Sequence, residues 1–476
     1  MRNLLTLVFI GIFLLPLHGQ DYKKEEAKAY FFNQHYADAL AVLNGTPELV
    51  RNDEEAQFIM AVCHYQLNDL DAAQPLLNSL IEGSRSPYPE CWLYMGKIYH
   101  AMHQFDEAAS YYKGYLRRLK PNHPKRRMVY DAIRRCATGM RMQYQKGEVA
   151  VENLGRRVNT DGDEFAPIIS PNFSNKLYFS AIREGNNGGA RDENGMPDSR
   201  MGRHYSDMFT CRGAAGGGNW QEAEPMHFLL NSPRHDVLLD FSADGSVLYY
   251  FRGWSPDQGQ IYVDTFRQND NRRLSSDPYP GPVSASLGDF SPYFVNDTAV
   301  YFASRRPDGF GGLDIYYSAL REGQWTEPEN LGPGINSPYD ETTPFLARDG
   351  ITLYYSTNHP DYSIGGLDIV KSVFNQHSQL WTSPEILPTP VNSAGDDAYF
   401  RISKDGFTAY FSSTRKDGYG QRDLYAAYFN NFLPEMELPV VAASYESIPS
   451  RRVEPNINPE GNNFAAQPEA REVEPV

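Results

Sequence analysis

Eight acidic residues recur where chemistry would need them: Asp163, Glu164, Asp236, Asp289, Asp340, Glu341, Asp396 and Asp397 each open a short apolar stretch. Carboxylates brought together could bind a cation, or divide into a protonated acid and an ionised partner for hydrolysis. That division needs unlike surroundings. Acids repeated at equivalent points of successive units do not show it, and turn or inter-unit hydrogen bonding is the simpler use for them. The chain has no G-x-S-x-G, no H-E-x-x-H, no Walker loop and no EF-hand spacing, so nucleophilic and metal-assisted hydrolysis lose support. The Gly216 to Gly218 cluster lacks the strand-to-helix setting of a phosphate loop. No catalytic residue, metal or cofactor is expected.

Cys63, Cys91, Cys136 and Cys211 form no C-x-x-C pair, which removes zinc-ribbon and thioredoxin-like readings. Buried free thiols are expected. A second group of residues suits binding. Lys28, Phe31, Phe32, Val62, Tyr65, Lys97 and His100 mix aromatic rings with cations, and Arg117, Arg118, Arg126 and Arg127 belong to a basic run that only Asp131 opposes between Lys113 and Lys146. Aromatics beside cations can hold an extended peptide or a partner helix. The basic run reads either as a solvated face docked on acidic surface or as a partner site.

Two periods position these residues. Between 25 and 120, Ala27, Ala61 and Gly96 are spaced 34 and 35 apart; Ala39, Ala73 and Ala108 follow each by twelve, and Tyr36, Leu70 and Phe105 keep register. Small residues at two fixed points let paired helices approach closely. The third copy, Trp92-x-x-Met95-Gly96-x-x-Tyr99 with Ala108 and Tyr112, resembles the tetratricopeptide (TPR) consensus, and Pro121 falls where that family ends its second helix. The resemblance puts Lys28, Phe31, Phe32, Val62, Tyr65, Lys97 and His100 on a concave face. Residues 122–147 are expected to cap the stack. Cys63 and Cys91 would be seven positions out of register on parallel helices, too far for a bridge.

Beyond residue 150 the period lengthens to about 50 residues and the pattern becomes alternation. Leu177-Tyr178-Phe179, Leu248-Tyr249-Tyr250, Val300-Tyr301-Phe302, Leu353-Tyr354-Tyr355 and Ala409-Tyr410-Phe411 mark five copies, three preceded by Asp-Gly turns. Each has an acid-opened strand upstream; Gly311-Gly312-Leu313-Asp314 and Gly365-Gly366-Leu367-Asp368 lie downstream. Four strands repeated five times predict propeller blades. The stretch resembles the WD40-like propeller of TolB, and more closely Bacteroidetes outer-membrane-associated proteins that place TPRs before a propeller. Glu152-Asn153-Leu154-Gly155 recurs as Glu329-Asn330-Leu331-Gly332, which predicts that the segment before the first blade supplies the last blade's outer strand. Five blades follow, or six if 434–445 contributes. Gln260 departs from the Asp of other copies, and the first blade carries a 184–205 insertion expected to be a mobile loop.

Arg2 and the apolar run Leu4 to Leu17 read as a signal segment cleaved near Gly19/Gln20, too short to span a bilayer comfortably. The expected organisation is multidomain: signal peptide 1–19, a helical TPR-like stack at 20–147, an all-β WD40-like propeller at 148–433, and a Pro-, Glu- and Asn-rich disordered tail at 434–476. The resembling type IX secretion proteins follow their propeller with an OmpA-like domain, which the tail does not match.

The 476 residues carry a net charge of −16. It is unevenly placed, +1 over 21–150 and −18 over 151–476. A net acidic chain disfavours nucleic acid as a partner. The expected function is a non-enzymatic scaffold, exported to the periplasmic face of the outer membrane and binding envelope proteins. The resemblance implies a place in envelope assembly or type IX secretion, with no transmembrane span after cleavage. The alternative is a carbohydrate-active or ligand-binding propeller.

Overall fold

The computed structural model describes residues 21–437 apart from 84–87, 146, 190–203, 214–217, 266–275 and 296–297, together with 455–457 and 463–465. The expected signal segment and most of the 184–205 insertion lie outside the described residues. The chain forms two compact units: a helical one up to Ala137, with Lys416–Gln421, and a β unit built on most of the remainder.

The helical unit contains α1 (21–32), α2 (Tyr36–Asn44), α3 (Pro47–Asn52), α4 (Glu54–Gln66), α5 (Leu70–Gly83), α6 (Glu90–Ala101), α7 (Phe105–Arg118) and most of α8 (Lys125–Met142). The small residues of the repeat do what their spacing predicts. Ala27, Ala39, Ala61, Ala73 and Ala108 are fully buried between helices. A methyl on Gly96 would stand 2.6 Å from the Tyr112 ring, so α6 and α7 pack closer there than any side chain allows. Asp53 caps α4 by accepting from the Ala56 N–H at 2.9 Å. All four cysteines are free and buried, and burial pushes each thiol up to about 12.

The β unit is a five-bladed propeller. Its inner strands are Asp163–Ile169, His235–Phe241, Asp289–Val295, Glu341–Leu346 and Asp397–Ile402. Each heads an antiparallel sheet whose next two strands are the aromatic strand and the strand after the Gly-rich turn. Each inner strand touches that of the next blade, and the fifth touches the first, closing the ring. Five apolar clusters fill the five interfaces between neighbouring blades, as where Phe179 and Trp220 of blade one meet Tyr410 and Leu424 of blade five.

Closure is as the repeated motif implied: Val149–Asn153 pairs antiparallel with Asp423–Phe429 as the outer strand of blade five. The Asn of both motif copies explains the recurrence. Asn153 donates to Asp423 at 2.7 Å while its carbonyl accepts from the Gly155 N–H and from Asn159, both at 2.8 Å. Asn330 repeats all three bonds with Asp314, Gly332 and Asn336.

Residues 434–437 add no sixth blade. Pro434–Met436 is one 3-10 turn, Met436 packs into the core shared by blades four and five, and Tyr354 donates to Glu435. The ordered end of the propeller therefore runs past 433. Further along the tail, Pro455–Ile457 and Asn463–Ala465 pair as a short two-stranded sheet; the rest of 438–476 lies outside the described residues.

Candidate functional site

The inner-strand acids of the propeller sit at one recurring position with one recurring partner. The second acid of each blade accepts from a Ser or Thr shortly before it: Glu164 from the Thr160 hydroxyl at 2.7 Å, Asp236 from Ser232 at 2.8 Å, Glu341 from Ser337 at 2.7 Å and Asp397 from Ser393 at 2.8 Å. Asp289 accepts the Ser284 N–H at 2.8 Å. Arginines meet these carboxylates from the neighbouring strand. Arg252 reaches Asp236 at 2.6 Å, Arg306 reaches Asp289 at 2.8 Å, Arg415 reaches Asp397 at 2.9 Å, and Arg183 approaches Glu164 at 4.0 Å. The first acids bind the preceding blade instead. Asp163 takes two bonds of 2.6 Å from Arg422, Asp340 accepts the Leu313 N–H at 2.9 Å, and Asp396 accepts the Leu367 N–H at 2.8 Å.

The carboxylates are not equivalent, contrary to the expectation from the repeat. In blade four His359 stands where Arg183, Arg306 and Arg415 stand in their blades, two residues beyond the partner of the second acid. Glu341 is bonded to two hydroxyls and one N–H, and burial pushes its carboxyl up to about 7. Burial also pushes Glu164 to about 7 against the opposing pull of Thr160 and Arg183. Both side chains are closed to solvent, and neither lines the cavity described next.

That cavity, about 220 Å³, lies in the hub. Its wall is mostly apolar, with Phe165, Val237, Leu239, Phe290 and Pro344 among the lining residues; Asp289, His235, Tyr399, Arg401 and Arg422 bring the polar atoms. Four of the five inner strands carry a non-glycine residue in the left-handed region at their bulge: Ala166, Ser291, Thr343 and Tyr399, with φ between 45° and 58°. Bulges at these points turn backbone and side chains toward the hub. Blade two breaks the pattern with Asp240, whose carboxylate accepts from the Phe294 N–H at 3.2 Å and pairs with Arg401 of blade five at 3.5 Å. Because blades two and five are not neighbours, this pair crosses the hub. The Arg401 guanidinium also lies 4.3 Å from the Tyr293 ring centroid and 5.7 Å from that of Phe345. Neither Asp240 nor Arg401 stands at a repeated position; a second charge within an otherwise apolar inner strand is the sequence signal for each.

In the helical unit the expected binding residues separate into three groups. Val62 and His100 are corrections, for they are core: Val62 is closed to solvent, and His100 is buried between Phe105 and Tyr112, with the Tyr112 hydroxyl at 3.3 Å. Lys28 is held by Glu25 and Glu55 at 3.3 and 3.2 Å, and Phe31 is half-buried against Phe32 and Tyr36. Phe32 is 74% exposed. Tyr65 and Tyr94 are half-buried, and Lys97 Nζ lies 4.9 Å from the Tyr94 ring centroid and 6.0 Å from that of Tyr65.

The basic run is partly committed within its own helices. Arg126 donates to the Leu116 and Leu119 carbonyls at the end of α7, at 3.0 and 3.2 Å, a C-terminal cap that offsets the helix dipole. Arg118 stacks 3.4 Å over Trp92 and donates to the Gly114 carbonyl. Lys125 pairs with Glu90, and Arg134 with Asp131. Arg117 and Arg127 are exposed. Among the described residues no group of three or more His, Cys, Asp or Glu side chains could hold a metal ion, and no helix is long and apolar enough to cross a membrane.

Among known families, one model matches the helical unit. The model of the family described as anaphase-promoting complex, cyclosome, subunit 3 matches residues 32–115, within the TPR-like helices. None of the curated proteins matches the chain. Solved structures are similar to it at low identity and low TM-score. A protein assigned as TolB from Agrobacterium tumefaciens is 14% identical, with TM-score 0.32 over 60% of this chain and 98% of its own. TolB from Acinetobacter baumannii is 11% identical, with TM-score 0.31 over 66% and 72%. An α-L-arabinofuranosidase from Lactobacillus brevis is 13% identical, with TM-score 0.34 over 60% and 96%.

Proposed function

We propose that this protein is an exported, non-enzymatic scaffold that binds envelope proteins at the periplasmic face of the outer membrane, with a place in envelope assembly or type IX secretion. One observation carries the reading: the recurrent carboxylates, the residues best suited to chemistry, are spent on holding strands and blades together. Glu164, Asp236 and Glu341, whose pKa burial raises, are sealed from solvent and absent from the lining of the hub cavity, so none of these acids faces a substrate there. The helical unit meanwhile offers exposed Phe32 to a peptide or helix, with Lys97 against Tyr94 and Tyr65 and Lys416 Nζ 4.4 Å from the Tyr65 ring centroid. The charged, apolar N-terminal run Arg2 to Leu17 supports export.

The test is capture from envelope extract with the full chain as bait, beside Phe32→Glu and Lys97→Glu. The scaffold reading expects one protein recovered repeatedly and lost with either variant. Recovery unaffected by both variants, or turnover of aryl-glycosides by the purified chain, would overturn it. A ligand-binding propeller is the second reading, favoured by the hub cavity and its polar residues His235, Tyr399 and Arg401.

A further inference from the structure

Blade two departs from blades one, three and five at the residue that in them supplies an arginine. Opposite the second acid of each blade stand Ala181, Arg252, Ser304, Thr357 and Ser413. Two residues further on come Arg183, Trp254, Arg306, His359 and Arg415. Blade two has thus drawn its arginine back by two positions, where Arg252 faces both Asp236 and Gln260. The vacated place holds an indole. Trp254 is the extra residue of a β-bulge, since Gly253 pairs with Gly259 and Ser255 with Gln258. A bulge re-aims one side chain out of the ladder, and Trp254 is 53% exposed.

The support beneath it is rigid. A methyl on Gly253 or Gly259 would stand 2.6 or 2.1 Å from Phe251 Cζ, so the far end of this ring sits against both glycines of the hairpin, and the ring also lines the hub cavity. Tyr205 meets Trp254 edge to face, 6.2 Å between centroids at 73°, and lies against His235 at 4.3 Å. The Arg234 guanidinium is 5.1 Å from the indole centroid. His235 Nδ1 accepts from the Ser206 N–H at 3.1 Å. A backbone N–H can only donate, so the imidazole is neutral and carries its proton on Nε2. His235 and Ser206 belong to the cavity wall as well as to this cluster.

We propose that Trp254, Tyr205 and His235 form a saccharide-binding platform, with one neutral pyranose ring stacked on Trp254 and its hydroxyls bonded by His235 Nε2–H and the Arg234 guanidinium. One face of a pyranose presents polarised C–H groups, which suit the negative face of an indole; its rim of hydroxyls requires side-chain donors nearby, and the Arg234 guanidinium lies 5.1 Å from the indole centroid while His235 adjoins the cluster through Tyr205. A proline-rich peptide fits less well. It needs successive aromatic ridges, whereas Tyr205 stands across Trp254 and leans on His235, leaving one flat surface. The cavity is smaller than the roughly 300–1,000 Å³ of pockets that engulf a ligand, which suits a ring held at the surface with a substituent pointing inward. This site is independent of the scaffold reading, since a scaffold without it still binds protein through its helices.

The test is calorimetric titration of the full chain with hexamers of β-1,4-glucose, α-1,6-mannose and β-1,4-N-acetylglucosamine, and with a proline-rich decapeptide. The proposal expects one hexamer to bind and to quench tryptophan fluorescence. It expects Trp254→Ala to weaken that binding about tenfold or more while the melting temperature is unchanged, and Trp254→Tyr to restore part of it. No binding of any hexamer at millimolar concentration, binding indifferent to Trp254→Ala, or Trp254-dependent binding of the decapeptide alone would overturn it.

Discussion

Glu341→Gln is expected to stabilise the propeller at alkaline pH and to leave it unchanged in acid. Burial raises the folded-state pKa of Glu341 from the ordinary 4.5 to about 7, so the folded chain keeps this proton where the unfolded chain has lost it. The contribution is complete below pH 4.5 and disappears as pH climbs through 7. At 1.36 kcal/mol per unit, the shift amounts to about 3 kcal/mol, undiscounted because the side chain is closed to solvent. Glutamine keeps the shape. Its carbonyl can accept the Ser337 N–H, and its amide can donate to the Ser337 and Thr357 hydroxyls, which reverse their roles. Urea unfolding of both proteins between pH 5 and 8, followed by tryptophan fluorescence, is the assay. The difference in favour of the variant should grow from below about 1 kcal/mol at pH 5 to about 3 kcal/mol at pH 8. A variant less stable than the parent at pH 8, or a difference that does not vary with pH, would refute the assignment of a neutral carboxyl to this site.

Arg401→Met alone should cost about 3–5 kcal/mol by leaving Asp240 buried without its counter-charge; Asp240→Leu with Arg401→Leu should recover most of it, both read from melting temperatures. Gly366→Ala places a methyl 1.8 Å from Asp396 Oδ1 and should destabilise by about 1–3 kcal/mol in urea melts. Asn153→Ala and Asn330→Ala each remove the same three bonds and should lower the urea midpoint to a similar extent, at about 1 kcal/mol per bond. An aromatic disulfide reagent should label none of the four cysteines in the native chain and all four in urea, because their thiols are buried with pKa near 12.

What was legible in the sequence was whatever repeats. Ala27, Ala61 and Gly96 reported helix approach because a small residue at a fixed interval has few other uses, and Asn153 with Asn330 reported ring closure because each makes the same three bonds. Residues acting once were not legible. Asp240 and Arg401 belong to different repeats and meet only across the hub, 161 positions apart, and no periodicity connects them. Val62 and His100 share a helical face with surface residues by spacing, yet His100 turns inward to the Tyr112 hydroxyl and Phe105. Trp254 was hidden by a bulge, which moves the register by one and so defeats an alternation count. Which acids burial would raise was not legible for a related reason: Glu164, Asp236 and Glu341 open their strands as the other acids do, and burial is set by what packs over them rather than by their own neighbours in the chain.

The strand at Val149–Asn153 has a consequence for the order of events as the chain emerges from synthesis. Its hydrogen-bonding mate, Asp423–Phe429, is made some 270 residues later, so this piece must wait, edge bare, while four blades are assembled behind it. The helices ahead of it depend on contacts between close sequence neighbours and can consolidate early. The wheel is fastened last, and until then its two open rims are where mispairing with another copy would begin.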